Sequence, residues 1–307
     1  MTDHATDDTS SPSPVHDPTL IGAHVRPLVG GAAAHPTRVG LSLALLLATL
    51  ATTTWAGALH QGVNLLEEPG RWLMGFPYAL ALLGILGIHE MGHYLVARRR
   101  GVAVTLPYFI PAPFYLGTFG AFIQMRGEVR DRATYFDIAI AGPLAGLVAA
   151  LLALAVGLPA GQGAAVHGGV LPASSALFAW VYALVVGGPL NQPVQVGALA
   201  FAGWIGLIVT ALNLIPVGQL DGGHITYALL GRRRAATLGK ALLVLLVAAG
   251  ILYSRHWLMW ALLIWLFAGP AHPPARDEAT PIGPARRLLA GLTLVLLVAI
   301  IAPWPWG

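Results

Sequence analysis

The sequence predicts an all-α polytopic membrane protein of about seven transmembrane helices, with a small membrane-associated β-hairpin or sheet after the second span. Composition is the first reason, because 56% of the 307 residues are hydrophobic and only 10% are charged. Soluble domains average about 25% charged residues. The other reasons are apolar runs long enough to cross a bilayer and two arginine triplets that follow such runs.

The apolar runs place the spans, since a transmembrane helix needs about 20 apolar residues. We place spans near residues 38–58, 73–97, 134–157, 196–216, 236–253, 256–270 and 286–303, and the fourth continues after a break to about residue 230. The apolar segment 171–190 is expected to be external or half-inserted. A full span there would put the two arginine triplets on opposite sides of the membrane.

The basic residues orient the spans. With Arg98–Arg100 and Arg232–Arg234 on the cytoplasmic side, only Arg71 and Arg255 of the 17 Lys and Arg residues fall outside. We expect an integral protein of the bacterial cytoplasmic membrane with a cytoplasmic N-terminus. The predicted parts are a disordered tail (1–37), an accessory helix (38–58), a membrane core (73–230) and accessory helices (236–303). Because the cations lie at the ends of apolar runs, we expect the lipid bilayer and no nucleic acid as partner.

The second span carries the most informative motif, His89-Glu90-Met91-Gly92-His93. Histidines at i and i+4 share one helix face and can hold one zinc ion, while the glutamate can take a proton from a zinc-bound water. The bland alternative is a chance match on a helix surface. An apolar setting weighs against it, because an unpaired buried carboxylate is costly.

Asp221 is the candidate third ligand. With no cysteine in the chain, a catalytic zinc needs a further His, Asp or Glu, and acids inside the spans are few. Pro216 and Gly218 should break the fourth span just before Asp221, and broken helices at membrane depth line cavities or lie buried in protein. Two alternatives remain open: Asp221 caps the half-helix that follows, or His224 is the ligand instead.

Three stretches together resemble the site-2 protease family of intramembrane zinc metalloproteases. They are the H-E-x-x-H of residues 89–93, Gly142-Pro143-Leu144-Ala145-Gly146, and the N-x-x-P-x-x-x-L-D-G of residues 213–222. The resemblance implies one catalytic Zn²⁺ held by His89, His93 and Asp221, with Glu90 as acid and base. Metalloproteases of the prenyl-protein type use a glutamate as third ligand instead, but the later glutamates here, Glu128 and Glu278, fall in basic loops.

Two further parts are expected to serve the same site. The Asn213 amide can donate a hydrogen bond to an oxyanion, a role the resemblance supports, although it can equally join two membrane helices. Residues 101–126 contain prolines and β-branched runs, which predict a hairpin or re-entrant loop. The predicted substrate contacts in it are Gly117, Thr118, Phe119, Gly120, Ala121 and Phe122; a loop that only seals the site is the alternative. The small residues of 141–146 predict close packing of the third span against the second.

The resemblance also implies the function, which is hydrolysis of peptide bonds within or near transmembrane segments, that is, regulated intramembrane proteolysis. The expected partners are single-span membrane proteins or signal-peptide remnants. The alternative is a membrane metal transporter or a metal-binding, non-catalytic homologue. A transporter would need further polar residues along a route across the membrane, and these spans carry few.

Overall fold

The computed structural model describes residues 39–113, 115–160, 170–171, 175–187, 194–269 and 272–302. Within these residues the chain forms nine α-helices and six short strands. The helices are α1 (Val39–His60), α2 (Phe76–Arg99), α3 (Arg132–Ala160), α4 (Ala176–Val185), α5 (Ala198–Leu214), α6 (Asp221–Leu230), α7 (Arg232–Leu252), α8 (His256–Ala268) and α9 (Pro284–Ile301). The strands are β1 (Ala103–Val104), β2 (Tyr108–Pro111), β3 (Thr118–Phe122), β4 (Met125–Arg126), β5 (Val170–Leu171) and β6 (Val194–Gln195). The predicted disordered tail, residues 1–37, lies outside the described residues.

Five helical segments of the described chain are long and apolar enough to cross a membrane. They are Val39–His60, Pro69–Arg99, Arg132–Ala160, Arg232–Leu252 and Pro284–Ile301. The predicted spans 196–216 and 256–270 appear as α5 and α8, of 17 and 13 residues, which is short of the usual 20. A polytopic helical protein with small antiparallel sheets is therefore confirmed, whereas the count of seven spans is not.

The core is a layer of three helices, α2, α3 and α5, with α3 packed between the other two. Small residues allow the close approach. A Cβ added to Gly203 of α5 would lie 2.9 Å from the Ala150 carbonyl oxygen of α3, and one added to Gly157 would lie 2.5 Å from the Ala200 nitrogen. By contrast, α7 and α9 present large apolar side chains outward, for example Leu245 and Val295, as expected of a lipid-facing surface.

Arginine-bearing helix ends meet on one side of the molecule, which we call the arginine face. Asp137 of α3 pairs there with Arg100 at the end of α2, and its two carboxylate oxygens accept hydrogen bonds from Arg286 of α9 at 2.7 and 2.8 Å. These pairs account for one of the acidic residues near the spans, so Asp137 is engaged away from the histidine motif.

The described residues 103–113 and 115–126 form the predicted antiparallel pairing of a hairpin. Strand β1 pairs with β4, and β2 pairs with β3 in the register Tyr108↔Phe122. The far end of the hairpin rests on two helices: the Thr52 hydroxyl donates to the Gly117 carbonyl at 2.6 Å and the Tyr78 hydroxyl donates to the Leu116 carbonyl at 3.1 Å. The hairpin therefore contacts both α1 and α2, and hydrogen bonds from these helices hold its far end.

The predicted break follows α5. The helix ends at Leu214 and a new helix begins at Asp221. Gly218 has a φ of +53°, which favours glycine, and the Gln219 N–H donates to the Ala268 carbonyl of α8 at 2.7 Å. The end of α8 thus supports the loop that starts α6.

Residues 272–283 form an irregular segment, which we call the strap, on the arginine face. The Arg276 and Asp277 N–H groups donate to the carbonyls of Val129 and Arg130, at 3.0 and 2.9 Å. The Ala275 N–H donates to the hydroxyl of Tyr227, a fully buried residue of α6, at 2.9 Å. The strap therefore joins the chain just after the hairpin to α6.

The predicted external or half-inserted segment 171–190 is described in part. Its helix α4 has ten residues and is capped by Ser175, whose hydroxyl accepts from the Phe178 N–H. At about 1.5 Å per residue, ten residues cannot cross a bilayer core of about 30 Å.

Candidate metal centre

Two histidines of α2 face the interior one turn apart. His89 and His93 are only 3% and 6% exposed, and their Nε2 atoms are 3.2 Å apart. The i, i+4 spacing places both imidazoles on the same face of the helix, which here is the face covered by α3 and α6.

Asp221 completes the cluster from the first residue of α6. Its Oδ2 lies 3.3 Å from His89 Nε2 and its Oδ1 lies 3.3 Å from His93 Nε2. The three ligand atoms lie within 4.8 Å of one another. Asp221 makes no side-chain cap of α6, whose N-cap is Leu220, so the capping alternative does not account for its position.

Helix α3 fixes the imidazoles. The Ile138 carbonyl lies 2.7 Å from His93 Nδ1, which leaves Nε2 of that ring for the cluster. A Cβ added to Gly142 would overlap the His93 ring, and one added to Gly146 would lie 2.8 Å from His89 Nδ1. The sequence predicted only that these glycines let the third span pack closely against the second. The structure places them directly against the two candidate ligands.

Glu90 is buried beside the cluster, with an exposed fraction of 5%. Its carboxylate accepts a hydrogen bond from the backbone N–H of Ile123, just past the end of β3. Glu90 and the three cluster residues line one cavity. A carboxylate so placed can exchange a proton with a molecule in that cavity.

Asn213, near the end of α5, reaches the cluster. Its Nδ2 lies 3.3 Å from His89 Nε2. This position is compatible with either role considered from the sequence, since the amide can face a reacting carbonyl or hold α5 against α2.

The alternative ligands lie elsewhere. Nδ1 of His224 contacts Nε2 of His272, in the strap, at 2.5 Å. Glu128 pairs with Arg276 at 3.5 Å, and Glu278 accepts a hydrogen bond from the Tyr227 hydroxyl at 2.9 Å. Among the described residues, the only group of three or more that could hold a metal ion is His89, His93 and Asp221.

The cavity has a volume of about 910 Å³ and is mostly apolar. Residues 118–122 of β3 line it, as do Leu82 and Leu86 of α2. Gly117, the remaining predicted substrate contact, is not in the lining. It packs on α1, where an added Cβ would lie 2.7 Å from the Thr52 carbonyl oxygen. The turn of the hairpin thus packs on α1 at Gly117, and the substrate contact predicted for that residue stays a prediction.

Residues that the sequence did not single out also form the cavity wall. Trp260 and Leu263 come from α8, and Pro273 comes from the strap. Nothing in their apolar spacing distinguishes them from lipid-facing residues, since their place depends on how α8 returns towards α6. Only the break at Gly218, which requires a supporting neighbour, hinted at an additional contact.

Comparison with known proteins gives one family and several plant relatives. The model of "Peptidase family M50" matches residues 77–253. "Probable zinc metalloprotease EGY1, chloroplastic" of Arabidopsis thaliana is 33% identical over 254 residues, covering 78% of this chain and 46% of that protein. The EGY2 protein of the same plant is 32% identical over 241 residues, covering 76% and 42%. The chain spans about half the length, or less, of these curated relatives.

The relatives also bear on location. Those from Arabidopsis thaliana, and the EGY1 protein of Oryza sativa subsp. japonica that is 33% identical over 235 residues, are all named as chloroplastic. This finding contradicts the prediction of a bacterial cytoplasmic membrane. The positions of the arginines indicate how the spans are oriented across a membrane, but they carry no information on which membrane the spans cross.

Proposed function

The chain belongs to peptidase family M50, the site-2 protease family, and on that premise we propose that it is an intramembrane zinc metalloprotease that hydrolyses peptide bonds within or near transmembrane segments of membrane proteins. The observation that carries the proposal is the meeting of His89, His93 and Asp221 within 4.8 Å. Beside them, Glu90 is buried in the same cavity.

The donor set suits zinc. Two imidazole nitrogens and a carboxylate are a usual catalytic set, which leaves a fourth position open. His89, His93 and Asp221 would hold the ion, and the zinc metalloprotease names of the relatives support that choice. Zinc bound there would polarise a peptide carbonyl and lower the pKa of a water molecule.

Glu90 would transfer protons, and Asn213 would stabilise the negative charge that develops on the substrate. Glu90 takes a proton from the attacking water and later gives it to the leaving amine. Its burial keeps this exchange away from bulk water, and the Ile123 N–H orients the carboxylate. The Asn213 amide, close to His89, would donate a hydrogen bond to the oxyanion.

Strand β3 would bind the substrate as an added strand. The Ile123 N–H points to Glu90 and therefore away from β2. N–H groups two residues apart on a strand point the same way, so the N–H and carbonyl of Ala121 lie on the same cavity-side edge. In the described chain this edge has no strand beside it. A substrate helix must unwind to use the edge, which exposes its carbonyls.

The membrane arrangement is part of the proposal. The five long helices and the shorter α5 and α8 would give seven crossings, with α5, the break and α6 acting as one span. The accessory parts would be 38–58 and 236–303 around a metalloprotease core of 73–230. Single-span proteins or signal-peptide remnants are the proposed substrates, and the chloroplastic relatives support a plastid membrane.

The two rival functions fit less well. A metal transporter needs polar groups on a path across the membrane, but the cavity wall beyond the cluster is largely Leu, Ile, Val and Phe. A non-catalytic metal protein needs no buried carboxylate beside the ligands, whereas Glu90 is held in place by its own hydrogen bond.

The test uses the full chain in liposomes with a panel of single-span substrates. Wild-type protein should bind one zinc per chain and cut the substrates. Glu90→Gln should keep the zinc but lose activity by at least about 10³-fold, because an amide of the same shape cannot act as general acid or base. Cleavage by Glu90→Gln at the wild-type rate would exclude the mechanism. Movement of zinc across the bilayer without cleavage of any substrate would favour the transporter.

A further inference from the structure

Strand β3 contains a β-bulge at Phe119. The pairing runs Ile110↔Gly120 and then Pro111↔Thr118, so β3 advances two residues while β2 advances one. Such bulges redirect side chains and are frequent next to active sites. Gly120 follows with a φ of +106°, which a residue with a side chain rarely adopts.

Thr118 holds the bulge. Its hydroxyl oxygen lies 2.8 Å from the Ile110 carbonyl, to which it donates, and it accepts a hydrogen bond from the Gly120 N–H at 3.0 Å. Thr118 itself is 6% exposed. The bulge is therefore fixed by the hydrogen bonds of a buried threonine and is not a fraying strand end.

The bulge changes which side chains reach the cavity. Side chains alternate along a strand, so Phe119 and Phe122, three positions apart, would normally point to opposite faces. Here both line the cavity and both are about half exposed, at 50% and 46%. The bulge sets Phe119 and Gly120 together opposite Ile110, so Phe119 joins the face that carries Gly120 and Phe122.

The distance along the strand assigns each ring a place on the substrate. Ile123 marks the catalytic end of β3, because its N–H contacts Glu90. Phe119 lies four residues away, or about 13 Å at about 3.3 Å per residue. Because the bulge sets Phe119 and Gly120 opposite one residue of a neighbouring strand, that substrate residue is the fourth from the scissile bond when the residue opposite Ile123 is counted as the first.

We propose that Phe119, set by the bulge, is a specificity-determining residue that forms the wall of a subsite for the substrate side chain four residues from the scissile bond, on the side away from the arginine face. Thr118 is the positioning residue of that wall. The inference rests on the proposed function. Backbone pairing alone does not distinguish substrate side chains, whereas this subsite would select the side chain at one substrate position.

The experiment measures side-chain preference position by position. The full chain in liposomes is given a library of single-span Leu/Ala helices with a helix-breaking Asn-Pro pair, randomised at each residue around the cut. Cleavage sites and relative kcat/KM are read by mass spectrometry. Phe119→Ala removes the wall, so the ratio of kcat/KM for large over small side chains should rise about tenfold at the fourth residue and stay unchanged elsewhere.

Two comparison variants sharpen the result. Phe122→Ala should shift the preference next to the scissile bond and leave the fourth residue alone. Thr118→Val should widen the preference at the fourth residue while zinc content stays at one per chain. Leu152→Ala, on the outward side of α3 and 61% exposed, should match wild type.

The outcomes separate the two proposals. If wild-type cleavage is equalled by Glu90→Gln, the proposed function fails and the subsite fails with it. If cleavage depends on Glu90 but Phe119→Ala leaves the fourth residue unchanged, or shifts all positions equally, the subsite alone is overturned. Should Phe119→Ala not fold, benzoylphenylalanine at position 119 in Glu90→Gln protein should photo-crosslink to that fourth residue; crosslinks spread along the substrate would contradict the inference.

Discussion

The two walls of the cavity are built by opposite means. On the metal wall, formed by α2, α3 and α6, the two histidines that are candidate ligands are at most 6% exposed, and glycines bring the helix backbones against them. On the substrate wall, formed by β3, the phenylalanines are about half exposed and a strand edge faces the cavity. The difference teaches that one wall is fixed by helix packing, whereas the other presents an open strand edge to the cavity.

The physical reason lies in what each wall must bind. A metal centre needs ligands held within a few tenths of an ångström, and dense packing with no room for another atom supplies this rigidity. In the proposed function, a substrate strand forms hydrogen bonds with the protein after unwinding, so the edge that would receive it has to present N–H and carbonyl groups to the cavity.

The largest expected effect is on the metal wall, from Gly142→Ala. The added Cβ overlaps the His93 ring, so the imidazole must move and bound zinc should fall at least tenfold, with activity lost. Zinc is measured by elemental analysis of purified protein. Gly84→Ala on α2, where an added Cβ meets nothing within 4 Å, is the matched control; zinc binding at the wild-type level in Gly142→Ala would show that the wall is not rigid.

The next effect separates the roles of Asn213. If its amide serves the oxyanion, Asn213→Leu should lower kcat about 10²- to 10³-fold with zinc retained. Single-turnover cleavage and zinc content are measured together. Loss of zinc in step with activity would instead make Asn213 a positioning residue of His89, since the two side chains are 3.3 Å apart.

A smaller effect tests whether α1 supports the substrate wall. Gly117→Ala strains a φ of +77° and pushes the turn off Thr52, while Thr52→Val removes only the hydrogen bond to the Gly117 carbonyl. We expect kcat/KM to fall about tenfold in the first and a few-fold in the second, with zinc unchanged in both. Gly40→Ala is the control, because Gly40 also lies on α1 and a Cβ added there has no heavy atom within 4 Å. Equal activity in all three would make α1 independent of the hairpin.

The smallest effect concerns the strap and depends on pH. Burial, together with the neighbouring His224, lowers the pKa of His272 from 6.5 to about 3. A lowered histidine pKa means that the neutral ring stabilises the fold, so this contribution is complete above about pH 6.5 and declines as the pH falls towards 3. Hydrogen exchange in residues 273–280, corrected for its intrinsic pH dependence, should therefore be faster at pH 5 than at pH 7.5.

A matched variant tests the cause. His272→Phe keeps an aromatic ring to stack on Tyr227, where the centroids are now 3.9 Å apart, but has no nitrogen to protonate. Its strap should exchange equally at both pH values. The same pH dependence in His272→Phe would assign the effect to another group.

Much of the fold was predictable from the sequence for physical reasons. Five of the seven predicted spans appear as long apolar helices, because apolar length is a local property. The break before Asp221 and the hairpin after α2 were also predictable, since Pro216, Gly218 and Pro107 act on their own backbone. Helix α5 is shorter than a span because it ends at Leu214, just before the break. Helix α8 is shorter because it ends at Ala268, where its carbonyl accepts from the Gln219 N–H.

The candidate site divides in the same way. The sequence by itself determined the ligand types: two histidines one turn apart, an aspartate after a helix break, and no cysteine to compete. Only the tertiary structure decided that Asp221 meets both histidines, that Gly142 lies against His93, and that a bulge turns Phe119 into the cavity. The reason is that periodicity and propensity act over a few residues, whereas the closest approaches between α2, α3 and α6 depend on packing between segments far apart in the chain.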